Sequence, residues 1–283
     1  MPQQKRLITV ADDFGLTEGV NAAVEQAARH GILTSASLMV AAPAAADAVR
    51  RARDLPRLAI GLHLVVIEGP AALPPAAIPD LVGPDGQFAA DQVRRGFAYY
   101  FRPGVRRQLA EEIRAQFEAF RATGLTLDHA NAHKHMHLHP VVGRLMIDIG
   151  RAYGLRAIRV PAEPARQGET AGARALRLWC HVLRRQARHA GLLTNDHVLG
   201  LSDTGHMTPA RVTDLLGDLP DGLTEMYFHP ATHRDATLLR LMPDYDHMAE
   251  AAALATCAVP TGVALSTYGA LQTQSSRFNQ SFK

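Results

Sequence analysis

The chain has 283 residues, 47% of them hydrophobic, 20% charged and 6% aromatic, which is enough to bury one large core and excludes a disordered chain. Thirty basic against 27 acidic residues leave a formal charge of +3, too small to predict a nucleic-acid partner, and no apolar run is long enough to span a membrane. Cys180 and Cys257 stand far apart without a metal-site spacing, and the start of the chain is too briefly apolar for a signal peptide, so a cytoplasmic protein is expected.

In chain order, eight short β-branched or apolar runs read as strands: 7–10, 35–40, 58–66, 126–133, 157–160, 197–201, 223–229 and 262–268. Helical periodicity lies between most of them, as in Val20, Val24 and Ala27, or Val105, Leu109, Ile113, Phe117 and Phe120. Thr17-Glu18 and Gly31 suit the start and end of the first helix, and Pro140 suits the first turn of a later one. Alternating strands and helices imply parallel pairing. Eight repeats favour a single (β/α) barrel, TIM-like and open to distortion, over residues 1–271, followed by a polar tail at 272–283. The turn after the first strand reads Ala11-Asp12-Asp13-Phe14-Gly15, and two carboxylates there would repel a nucleotide phosphate.

Residues 68–88 carry five prolines and form a long loop after the third strand, read equally as a substrate wall or lid and as a plain solvent loop. From Arg174 to Ala190 a helix places Arg174, Arg177, His181, Arg184, Arg185 and Arg188 on one side and Leu176, Trp179, Leu183 and Ala187 on another. Such a helix suits either an outer barrel position or peripheral contact with an anionic bilayer.

In a parallel barrel, polar residues at the strand ends meet at one mouth. The candidates there are Asp12-Asp13, His63, His133 and His229. One carboxylate and two imidazoles can hold a divalent ion with positions left for water and substrate. Consecutive Asp12 and Asp13 point apart on an extended chain, so one suits an ion and the other a proton. Fourteen histidines are the compositional oddity, five of them within residues 129–139. His133, His135, His137 and His139 alternate along the chain, and neighbours two residues apart sit about 7 Å from each other on a strand. One ion therefore takes a single ligand from this run, leaving the others to orient it, touch substrate or pack. No Gly-x-Ser-x-Gly elbow is present, so covalent hydrolysis has little support.

These motifs resemble the YdjC-like carbohydrate deacetylases: Ala11 to Leu16, Asn21, Gly31 to Ser35, Gly61-Leu62-His63-Leu64, the histidine run to Pro140, and His229-Pro230. The resemblance implies a barrel-like fold and hydrolysis of acetyl from an N-acetylated sugar. It implies Asp13, His63 and His133 as ligands of one divalent ion (Mg2+ or Zn2+), Asp12 as general base and His229 as acid. Asn131 stands where the family usually has Asp, which bears on the surroundings of the ion, as do His135 and His137. The wording from Asn131 to Pro140 is similar to the hopanoid-biosynthesis branch, implying an N-acetylglucosaminyl bacteriohopanepolyol as substrate. Free chito-oligosaccharides or other acetamido-oligosaccharides are the alternative substrates. Other readings of the residues are a phosphoesterase, an iron oxygenase and a histidine-rich metal carrier. The oligomeric state stays open to a homodimer.

Overall fold

The computed structural model describes residues 5–165 and 168–273. Most of the polar tail expected at 272–283 lies outside the described residues. The strands are β1 (Lys5–Phe14), β2 (Ser35–Leu38), β3 (Ala59–Leu64), β4 (Leu127–Ala132), β5 (Ala157–Ile158), β6 (Leu193–Thr194), β7 (His197–Leu199), β8 (Leu223–Phe228) and β9 (Val263–Leu265). The helices are α1 (Glu18–His30), α2 (Ala45–Arg53), α3 (Gln92–Phe101), α4 (Pro103–Ala122), α5 (Pro140–Ala152), α6 (Ala171–His189), α7 (Pro209–Gly217), α8 (Ala236–Leu241) and α9 (His247–Thr256).

Every strand pairing is parallel, and the order is β6-β5-β4-β3-β2-β1-β8-β7, with β9 on the first residues of β1. The two ends of that path are one stretch of chain, since only Asn195 and Asp196 separate β6 from β7. A single bent strand thus pairs with β5 by its first half and with β8 by its second, and this bend closes a distorted (β/α) barrel. At the bend the Asn195 side chain replaces the ladder: its Oδ1 accepts from Val160 N at 2.7 Å and its Nδ2 donates to Val160 O at 2.8 Å. The sequence pattern predicts eight strands and misses β6, because two residues are too short a run to show a period.

The helices form where their apolar stripes can cover the sheet. Val105, Leu109, Ile113, Phe117 and Phe120 of α4 are buried, as are Val20, Val24 and Ala27 of α1. Thr17 caps α1 by accepting from Val20 N. Gly31 ends it for reasons of space, since a Cβ there would lie 2.1 Å from Leu254 O. The long loop is no plain solvent loop: Ile78, Leu81, Val82 and Phe88 are buried, and Glu112 of α4 accepts from Ala72 N and Leu73 N. These anchors hold the loop as a wall beside the mouth.

Candidate metal centre and catalytic site

β1 carries Asp12 and Asp13 just before its last residue, β3 carries His63, β4 leads into His133, and His229 follows β8. These ends lie together. Asp13 Oδ1 is 3.1 Å from His63 Nε2 and 3.2 Å from His133 Nδ1, and the two ring nitrogens are 3.4 Å apart. Ligands about 2.1 Å from a common ion stand about 3–3.4 Å from one another, so this triangle has the dimensions of one face of a coordination shell. Asp13 Oδ2 is buried without a hydrogen-bond partner, as fits a carboxylate that binds a cation. Two imidazoles and a carboxylate are donors suited to Zn2+ and acceptable to Mg2+.

The chain achieves this by leaving extended geometry. Asp13 has φ 60°, a left-handed conformation that costs a non-glycine residue about 1–3 kcal/mol. Through that turn Asp13 meets the histidines, while Asp12 faces the barrel interior. Asn21 holds the turn, accepting from Gly15 N at 2.8 Å.

Asp12 is saturated with donors: Arg159 Nη1 at 2.5 Å to Oδ2, Arg159 Nη2 at 2.9 Å to Oδ1 and Asn131 Nδ2 at 2.8 Å to Oδ1. Burial pushes its carboxyl up, but the Arg159 charge, His63 and the Arg159 hydrogen bonds together hold it well below the usual range. Arg159 is itself fully buried, lies over the Tyr227 ring at 4.6 Å, and donates Nε to Glu225, whose other oxygen accepts from Tyr268 at 2.6 Å. Arg159, Glu225 and Tyr268 are absent from the sequence-based candidates. For Arg159 and Glu225 the signal is a charge inside an apolar run, 157–160 and 223–229, and Tyr268 offers none.

Asn131 joins the two halves of the site. Its Oδ1 accepts from His63 Nδ1 at 2.7 Å, which leaves Nε2 turned toward Asp13. Its Nδ2 also donates to Ser37 Oγ at 3.0 Å, and Ser37 in turn donates to His129 Nε2 at 3.0 Å. His129 Nδ1 donates to Asp128 at 3.0 Å. Gly61 makes room for the His129 ring, since a Cβ there would come within 2.5 Å of it.

The histidine run does not stay on one face. Lys134 and His135 adopt φ of 50° and 52°, which breaks the strand alternation after His133. His135 Nε2 meets Tyr227 Oη at 3.2 Å, His137 Nε2 donates to Arg159 O at 3.1 Å, and His139 Nε2 donates to Gly96 O at 3.0 Å. Burial depresses His137 to about 3 and His135 well below the ordinary histidine value. Both are neutral near pH 7.

His229 lines a cavity of about 220 Å3 with Asp12, His63, His133, His135, Tyr227 and Tyr245. Burial depresses its imidazole to about 4 against the opposing pull of Asp13 and Asp12, and its Nδ1 has no partner. Its backbone is fixed from both sides, N–H to the buried Glu250 carboxylate and carbonyl to His247 Nδ1 at 2.7 Å. Two further cavities adjoin this one, one sharing Leu201 and framed by Pro161 and Leu176, the other sharing His133 and framed by Glu68 and Phe88.

A family model described as YdjC-like protein matches residues 6–263. A carbohydrate deacetylase of Brevibacillus brevis is 30% identical over 237 residues, covering 82% of this chain and 84% of that protein. A carbohydrate deacetylase of Geobacillus stearothermophilus is 39% identical over 160 residues, and the match spans 59% of that protein and 56% of this chain. Among solved structures, a proposed cellobiose-phosphate cleavage protein of Enterococcus faecalis V583 superposes with a TM-score of 0.74 at 24% identity, over 95% of this chain and 99% of that one. At that identity the likeness shows a shared fold.

Proposed function

The chain belongs to the YdjC-like protein family, and we propose that it is a metal-dependent hydrolase that removes acetyl from an N-acetylated sugar. The observation that carries this reading is the buried triangle of Asp13, His63 and His133 with a second carboxylate, Asp12, beside it at the barrel mouth. The names of the carbohydrate deacetylase relatives support the substrate class.

In this reading Asp13, His63 and His133 hold one divalent ion, which would polarise the acetamide carbonyl and the attacking water. Asp12, kept ionised by Arg159, takes the proton from that water. That proton then passes by way of His229, uncharged at rest, to the leaving nitrogen as the C–N bond breaks, so that acetate and a free amine depart. Asn131 fixes the His63 ring, and His135 and Tyr227 form the wall against which the sugar sits.

The finer reading is an acetamido sugar carried on a hopanoid, handled in the cytoplasm at the membrane. It rests on the wording of Asn131 to Pro140, and the cavity framed by Pro161, Leu176 and Leu201 offers an apolar aglycone a place beside the reacting unit. A metal carrier is disfavoured, because His135, His137 and His139 bond to separate partners and, among the described residues, one group of three clustered donors is found. The deciding experiment measures acetate released from lipid-linked and free acetamido sugars with added Mg2+ or Zn2+. No release from any of them would end the deacetylase reading.

A further inference from the structure

α3 turns its apolar stripe outward. Val93 is 70% exposed, Phe97 62% and Phe101 66%, with Tyr100 also exposed, while Tyr99 is the buried residue of the helix. On α6 only Cys180, Leu183 and Ala187 are buried, and Leu178 and Trp179 remain 60% and 43% exposed, with Val182 beside them. The sequence pattern groups Leu176 and Trp179 on one side with Leu183 and Ala187; the structure buries Leu183 and Ala187 and leaves Leu176 and Trp179 exposed. Both helices touch the end of the histidine run: Trp179 Nε1 donates to Leu138 O at 2.7 Å, and the His139 ring lies edge-on to Tyr100 and donates from Nε2 to the carbonyl of Gly96 from α3. Gln92, at the start of α3, reaches Lys134 O, next to His133 and His135 in the catalytic cavity. The apolar surface therefore borders the mouth.

We propose that α3 and α6 together form a docking surface for an anionic lipid bilayer, with the barrel mouth held at the headgroups. Exposed apolar residues in such number on adjoining helices mark an interaction site. The indole N–H of Trp179 is satisfied within the chain, so the exposed part of that ring is hydrocarbon. Charge selects the occupant. Neither helix contains an acidic residue, α3 carries Arg94 and Arg95, α6 carries five arginines, and Arg102, Arg106 and Arg107 follow α3 on the surface. Arg177, Arg184 and Arg188 are paired within the chain, with Glu169, Asp196 O and Thr194, whereas Arg174 and Arg185 are exposed one turn either side of Leu178 and Val182. A two-fold contact with a second copy would set these arginines against one another. Aromatic and apolar side chains amid arginines suit the interface of an anionic leaflet.

The proposal adds to the deacetylase reading where the enzyme works, and its test reads binding, so a protein inactive on every sugar would still report on it. The full chain is floated with phosphatidylcholine vesicles, with and without phosphatidylglycerol, beside Phe97→Asn/Phe101→Asn and Arg174→Gln/Arg185→Gln. We expect the parent to float with the anionic vesicles, the aromatic pair to lower partition at least about tenfold, and the arginine pair to lower it several-fold. Unchanged circular dichroism and thermal midpoint show that the variants fold. A parent that stays with neither vesicle, or variants that float as the parent does, would overturn the proposal. So would self-association lost in the aromatic pair without vesicle binding, which assigns the face to a second copy.

Discussion

Arg159 grips Asp12 with both prongs of its guanidinium, Nη1 on one carboxylate oxygen at 2.5 Å and Nη2 on the other at 2.9 Å. Its Nε serves Glu225, so one buried cation stands between two buried carboxylates. Arg159→Met leaves both acids without their counter-charge, and breaking a buried pair from one side costs about 3–5 kcal/mol. A clear fall in thermal midpoint is expected, read by calorimetry. Arg159→Lys keeps charge but loses the fork, so it should fold better than Arg159→Met and still lose at least about a hundredfold in kcat. A Met variant as stable as the parent would show that the triad contributes nothing.

Asn131 donates to Asp12 and accepts from His63, which an amide can do and a carboxylate cannot without an added proton. Asn131→Asp retains the bond to His63 and sets a third carboxylate against Asp12. The variant should keep ion binding yet lose stability relative to the parent as pH rises and the new acid ionises. Denaturation curves at acid and mildly alkaline pH that shift in parallel for both proteins would contradict this.

One ion per chain is expected in titration calorimetry. His63→Ala and His133→Ala should each weaken it at least about tenfold, because a three-donor site cannot spare a donor. Asp12→Asn should bind the ion as the parent does and release no acetate. Chelation should silence the parent, and divalent metal should restore it. An Asp12→Asn protein that loses the ion as His63→Ala does would erase the distinction between the two carboxylates.

Glu250 lies fully buried behind His229, where burial lifts its carboxyl from 4.5 to about 7 against the backbone N–H groups of His229, Met207 and Gly205. Between those values the folded chain holds a proton that the unfolded chain has released. Stability should therefore fall as pH climbs from about 4.5 to 7, by at most about 3 kcal/mol from this group. Glu250→Gln should flatten that slope. Equal slopes for the two proteins in chemical denaturation across the window would refute the assignment.

The proposed metal donors are legible in the sequence because Asp13 and His133 stand at the ends of apolar runs and His63 interrupts one, and a parallel barrel gathers such strand ends at one mouth. Asp12 on β1 and Arg159 just after β5 are 147 positions apart, and those strands are not neighbours, so their pairing appears only once the ring is closed. The same holds for Ser37 and His129, whose contact needs the gap left by Gly61 on the strand between them. Periodicity locates the helix at 171–189 but not its orientation. Trp179 sits at the edge of the packed stripe, and the carbonyl of Leu138 draws its indole nitrogen outward from the core.

The strand that bends at Asn195 leaves its mark above the barrel as well as in its wall. Where β7 parts from the chain after β5, Pro161 and Pro164 line a cavity with Leu201 and Ser202, and that cavity shares Leu201 with the one lined by Asp12 and His229. An evenly laced rim would admit only what could enter and leave from above, whereas a notched one would give the aglycone of the proposed substrate room to trail over the edge.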